Sequence, residues 1–122
     1  MKFEKYYEDF IKRLIEKIKE SVDFDLNSFN SFEGALKDKM IKGYQEHGDK
    51  VFKKPLAEIL EEISDEAKDF SGWILIALVI AQKSDQLSDE LEEELYEIAV
   101  IGYSQWLRLD KILRKLKNNE YS

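Results

Sequence analysis

Apolar residues recur every three or four positions along most of this chain, the period of a helix with one buried face. Over 3–21 the recurrence is Phe3, Tyr6, Phe10, Leu14 and Ile18, which predicts a first helix. The stretch DFDLNSFN, 23–30, is polar and predicts a loop, with Phe24, Leu26 and Phe29 packing down. Asn30 and Glu33 have capping-box spacing, so a second helix is expected over 31–47, ending at Gly48 just after His47. Residues 49–54 form a short connection, and Pro55 suits the first turn of a third helix over 55–83. After the KSDQLS loop, Ser88 caps a fourth helix over 89–117, with acids in its first turn. Leu91, Leu95, Ile98, Gly102, Leu109, Leu113 and Leu116 form its stripe. Strand alternation is almost absent. The pattern therefore predicts an all-α protein, a four-helix antiparallel bundle forming one domain over 1–122.

The third helix breaks the simple pattern. At 100° per residue, Leu56, Ile59, Leu60, Ile63, Ala67, Phe70 and Ile74 fall on one side, an ordinary core stripe. Glu58, Glu62, Asp65 and Asp69 gather within an arc of about 60° on the far side, with Glu66 on the flank between. Neighbouring like charges at this spacing destabilise a helix by roughly 0.2–0.5 kcal/mol per pair. The same far side then continues through Trp73, Ile76 and Ile80. Beyond Gly72 the helix is apolar all round, so 73–81 is expected to be buried on every side, by another helix or by a second copy. Self-association follows as an expectation. Carboxylates that run into a buried surface must protonate, pair with bases or bind metal. Pairing would fall to Lys39, Lys42 or the bases of the fourth helix; metal binding would suit Mg²⁺, which shares its ligand shell with phosphate.

Composition narrows the class. The 122 residues carry a net charge of −7, which argues against a nucleic-acid partner, whose phosphates need lysine and arginine. There is no cysteine, so disulfides, thiolate metal sites and thiol nucleophiles are excluded. The charged start, MKFEKYYEDFIKRL, lacks the apolar core of a signal peptide, and the run 73–81 is far short of a membrane span. A cytoplasmic protein with no membrane partner is expected. His47 is the single histidine, which leaves no histidine triad and makes a helix-end role its simplest reading. The glycines lack phosphate-loop spacing. Trp73, Tyr103 and Trp106 read as core or interface aromatics, with stacking on a base as the alternative.

The run KGYQEHGDKVFKKPLAEILEEISDEAKDFSGW, 42–73, resembles the central region of small MazG-like all-α nucleotide pyrophosphohydrolases. It has a lysine-glycine near a helix end and a short loop with glycine. A helix with Glu-x-x-Glu (Glu58–Glu61) and Glu-x-x-Asp (Glu66–Asp69) follows, before an apolar continuation. The family usually divides the two motifs between facing helices, whereas here both lie on one. The resemblance implies a dimer or higher assembly. It also implies Mg²⁺ (or Mn²⁺), and hydrolysis of an NTP or dNTP to the monophosphate and pyrophosphate, or a non-catalytic nucleotide-binding relative. On that reading Glu58, Glu62, Asp65, Glu66 and Asp69 are metal ligands, and Glu62 and Glu66 are the catalytic carboxylates that would orient or deprotonate water. Lys42, Arg108 and Lys111 would hold phosphates. A different class fits the same charge and size: a small acidic helical interaction protein, of toxin-immunity or phage anti-defence type, that covers a basic partner surface. The two differ in where the acids lie, in a pocket or on an open face.

Overall fold

The computed structural model describes residues 3–21 and 23–121. Among them there is no strand, and the elements are all helical: α1 (Phe3–Ser21), α2 (Leu26–His47), a short 3-10 turn (Lys50–Lys53), α3 (Leu56–Lys83) and α4 (Asp89–Lys117). The expected all-α class and the four helices are present. The chain divides into two compact units, 1–53 and 54–122.

In the first unit, α2 begins five residues earlier than the Asn30–Glu33 box predicts. Asp25 caps it instead, accepting from the Ser28 N–H at 3.0 Å and the Ser28 hydroxyl at 2.6 Å. These bonds hold the exposed Asp25 carboxyl below its usual range, the Ser28 side-chain bond contributing most. A carboxylate is also favoured at the positive end of the helix dipole. Starting there makes Phe29 helical and buries it, with its ring 6.0 Å from Phe24. Glu33 is thereby released to α1. The Tyr7 hydroxyl donates to the Glu33 carboxylate at 2.7 Å, and the Phe3 ring stacks on Tyr44 at 5.2 Å.

The buried pair on α1 is Phe3 and Tyr7, not the predicted Phe3–Tyr6–Phe10 stripe; Tyr6 and Phe10 are exposed. They line an apolar pocket of about 220 Å³ with Phe3, Tyr7, Met40 and Phe52. Helix α2 stops at Gly48, where φ of 64° and ψ of −145° suit glycine alone.

The second unit is an antiparallel helical hairpin. Pro55 precedes the first turn of α3 rather than occupying it. Across the turn the Ser84 hydroxyl donates to the Ile80 carbonyl at 2.8 Å, and the Gln86 N–H to the Ala81 carbonyl at 2.8 Å. Ser88 caps α4 as expected, accepting from the Leu91 N–H at 3.0 Å.

The seam between α3 and α4 is built on small residues. Ser64, Ala67 and Ala81 of α3 and Gly102 of α4 are the buried positions. A Cβ on Gly102 would lie 2.9 Å from the Ser71 hydroxyl and 3.1 Å from the Phe70 ring. Small side chains let the backbones approach, which pushes the large ones outward. Leu56, Ile63 and Phe70, expected in the core stripe, are accordingly exposed.

Within the hairpin, the same packing leaves most of 73–81 uncovered. Of these residues only Ala81 is buried, while Trp73 is 69% exposed and Ile80 58% exposed. One seam covers one side of a helix, and here that side is the one facing α4. No helix among the described residues is long and apolar enough to cross a membrane.

Candidate functional site

The far side of α3 is the continuous stripe that the helical phase requires. Glu58, Glu62, Asp65 and Asp69 are all exposed, and Trp73, Ile76 and Ile80 carry the stripe on, exposed as well. The expected convergence of five carboxylates is not formed. Lys54, just before the helix, reaches along its first turns to Glu62 at 3.2 Å and Glu58 at 3.9 Å. Lys68 pairs with Asp65 at 3.1 Å. Among the described residues no group of three histidines, cysteines or carboxylates could hold a metal ion. One rod cannot aim all five side chains at a point, because its successive turns are about 5.4 Å apart.

Two of the five do share a concave surface. A groove of about 710 Å³ runs along one flank of the hairpin, and Glu66 and Asp69 line its α3 rim. Arg108 and Gln105 line the α4 rim, with Phe70, Trp73 and Leu109 among its apolar walls. The volume is within the ordinary range for small-molecule sites, roughly 300–1,000 Å³. Among the described residues, neither Glu66 nor Asp69 nor Arg108 is held in an ion pair. The groove thus carries two carboxylates opposite one guanidinium, with an indole beside them.

The other predicted phosphate holders are elsewhere. Lys111 is exposed on α4 outside the groove lining, and Lys42 is exposed on α2 in the first unit. Lys54 and Gln105 are the positions that the sequence reading passed over. The four-residue spacing from Lys54 to Glu58 signals the first. Gln105 lies three residues from both Gly102 and Arg108, so helical phase puts it on their flank.

Mg²⁺ is commonly held by one or two carboxylates, with waters and substrate phosphates completing its shell. The Glu66–Asp69 pair fits that mode; the five-ligand set does not. His47, at the end of α2, lies 3.7 Å from the Glu46 carboxylate and reaches no metal-binding group of three. The Tyr103 and Trp106 rings stack on each other at 6.2 Å, a packing role. No family model, curated protein or solved structure matches the chain.

Proposed function

We propose that the α3–α4 groove binds a nucleoside polyphosphate together with Mg²⁺ or Mn²⁺, as the MazG-like resemblance implies. The observation that carries this reading is the meeting of Glu66, Asp69 and Arg108, all site residues on that resemblance, in one groove beside Trp73. Glu66 and Asp69 would hold the cation. Bound there, the cation supplies polarisation of the phosphates and a more acidic water. Arg108 offsets phosphate charge from the opposite rim, and its planar fork suits phosphate oxygens. The Trp73 indole offers a stacking face for the base. Glu66 would also be the carboxylate that accepts a proton from water. Glu62, paired with Lys54, lies outside this role. Cleavage to monophosphate and pyrophosphate is the activity this reading expects.

The test is calorimetric titration of each common NTP and dNTP with Mg²⁺ or Mn²⁺, followed by product separation. Arg108→Ala should weaken binding roughly 10- to 100-fold, the loss of a hydrogen bond to a charged group. Glu66→Gln and Asp69→Asn should remove the metal dependence, whereas Glu62→Gln should leave it intact. Binding without turnover would retain the site and drop the hydrolase. No binding at millimolar nucleotide would end this reading.

The open acidic and apolar stripe on α3 favours a second reading, an acidic interaction protein for a basic partner. Reversing Glu58 and Asp65 to lysine should then abolish capture of a basic amphipathic peptide, with nucleotide affinity unchanged.

A further inference from the structure

The apolar pocket of the first unit, about 220 Å³, is enclosed by three elements: α1, α2 and the 3-10 turn. Phe3 and Tyr7 are buried and form its floor, with their rings 6.1 Å apart. Tyr6 and Phe10 of α1 and Phe52 of the turn form its walls, and each is more than half exposed, at 65%, 53% and 51%. Leu36 and Met40 close the α2 side. Among the described residues, Tyr6, Phe10 and Phe52 have no ring partner of their own. Three unpartnered aromatic rings thus converge on one concave surface.

The lining defines the chemistry of a guest. No lining residue carries a charge. The Tyr7 hydroxyl is already committed to Glu33, 2.7 Å from its carboxylate and 3.2 Å from its carbonyl oxygen. An ion entering the pocket would shed water and find no partner, so the site selects against charge. Aromatic rings instead gain from packing on other rings, edge to face or offset. Met40, unbranched and polarizable, can fit itself to the edge of such a guest.

Volume defines its size. An apolar cavity of about 150 Å³ takes up benzene. The larger volume here gives room for a second, fused ring. We infer that the pocket between α1, α2 and the 3-10 turn binds a small neutral aromatic molecule of two fused rings, packed on Tyr6, Phe10 and Phe52 above the Phe3–Tyr7 floor. This site lies wholly within 1–53 and the nucleotide groove within 54–122, so neither reading depends on the other.

The test uses the full chain with indole as the probe. Met1 and Met40 are the only methionines, so a methionine-methyl NMR spectrum reports on the site directly. The Met40 methyl should move saturably as indole is added, with a dissociation constant on the order of 1 mM or tighter. Indole-3-carboxylate, the same rings with a charge, should bind roughly tenfold more weakly or worse. Leu36→Trp fills the pocket from the α2 side and should abolish binding, with helicity by circular dichroism unchanged. Phe52→Ala removes one wall from an exposed position and should weaken binding about 3- to 10-fold. Trp73→Ala, in the other unit, should leave the affinity as it is. A Met40 methyl that does not move up to the solubility limit of indole overturns the inference. So does binding that survives both pocket variants or that Trp73→Ala removes, which would place indole elsewhere. Equal affinity for indole-3-carboxylate would overturn the neutral class of guest.

Discussion

Gly72 and Gly102 occupy mid-helix positions on α3 and α4, and their surroundings differ completely. Nothing lies within 4 Å of where a Gly72 Cβ would be, whereas Gly102 is pressed against Ser71 and Phe70. In open space, replacing glycine by alanine removes backbone freedom from the unfolded chain without a steric cost. Gly72→Ala should therefore stabilise the hairpin by about 0.5–1 kcal/mol and raise its thermal midpoint. Gly102→Leu forces a branched side chain into the seam, and overpacking of this kind costs about 1–3 kcal/mol. Parallel thermal melts of the two variants decide the matter. A similar response from both would mean that the seam does not rely on close approach at Gly102.

At the scale of elements, α1 and α2 meet through a few directed contacts. The central one is the Tyr7–Glu33 hydrogen bond. Burial, then the hydrogen bond to Glu33 and the neighbouring negative charge, push the Tyr7 hydroxyl up to about 12 from its ordinary value of 10.0. The protonated phenol is the form the fold prefers. Its contribution is complete below pH 10, the unfolded value, and is lost as pH rises toward 12. Alkaline titration should therefore lower the stability of the first unit over that window. Tyr7→Phe should flatten the pH dependence there while lowering stability at pH 7. An unchanged alkaline profile in Tyr7→Phe would remove the phenol as its cause. Helix α3 shows a different elemental rule: its small-residue side faces α4, and its largest side chains are left on the outside.

The molecule as a whole consists of two units of unequal packing. The second has a continuous close seam, while the first is held by ring stacking and one buried phenol. Amide exchange should follow this division, with the slowest exchange around Ala67 and Gly102 and faster exchange throughout 3–53. Uniform protection and a single coincident transition would instead show that the units unfold as one.

Helix content and most boundaries could be read from the sequence, because three- and four-residue recurrence, Ser88 and Gly48 are local signals. The stripe of Glu58, Glu62, Asp65 and Asp69 was equally legible, since helical phase alone puts these residues on one side. The start of α2 was not, because two caps five residues apart compete, and burial of Phe29 decides between them. Nor was the fate of the carboxylates. Phase defines a face but does not say what stands opposite it. Only the antiparallel docking of α4 brings Arg108 across from Glu66 and Asp69. Glu58 and Glu62, on earlier turns of α3, stay out of that company and pair with Lys54. The exposure of 73–81 has the same origin. Apolarity is a property of the segment, whereas burial is a property of its neighbours, and a seam of alanine, serine and glycine covers one side of the helix and no more.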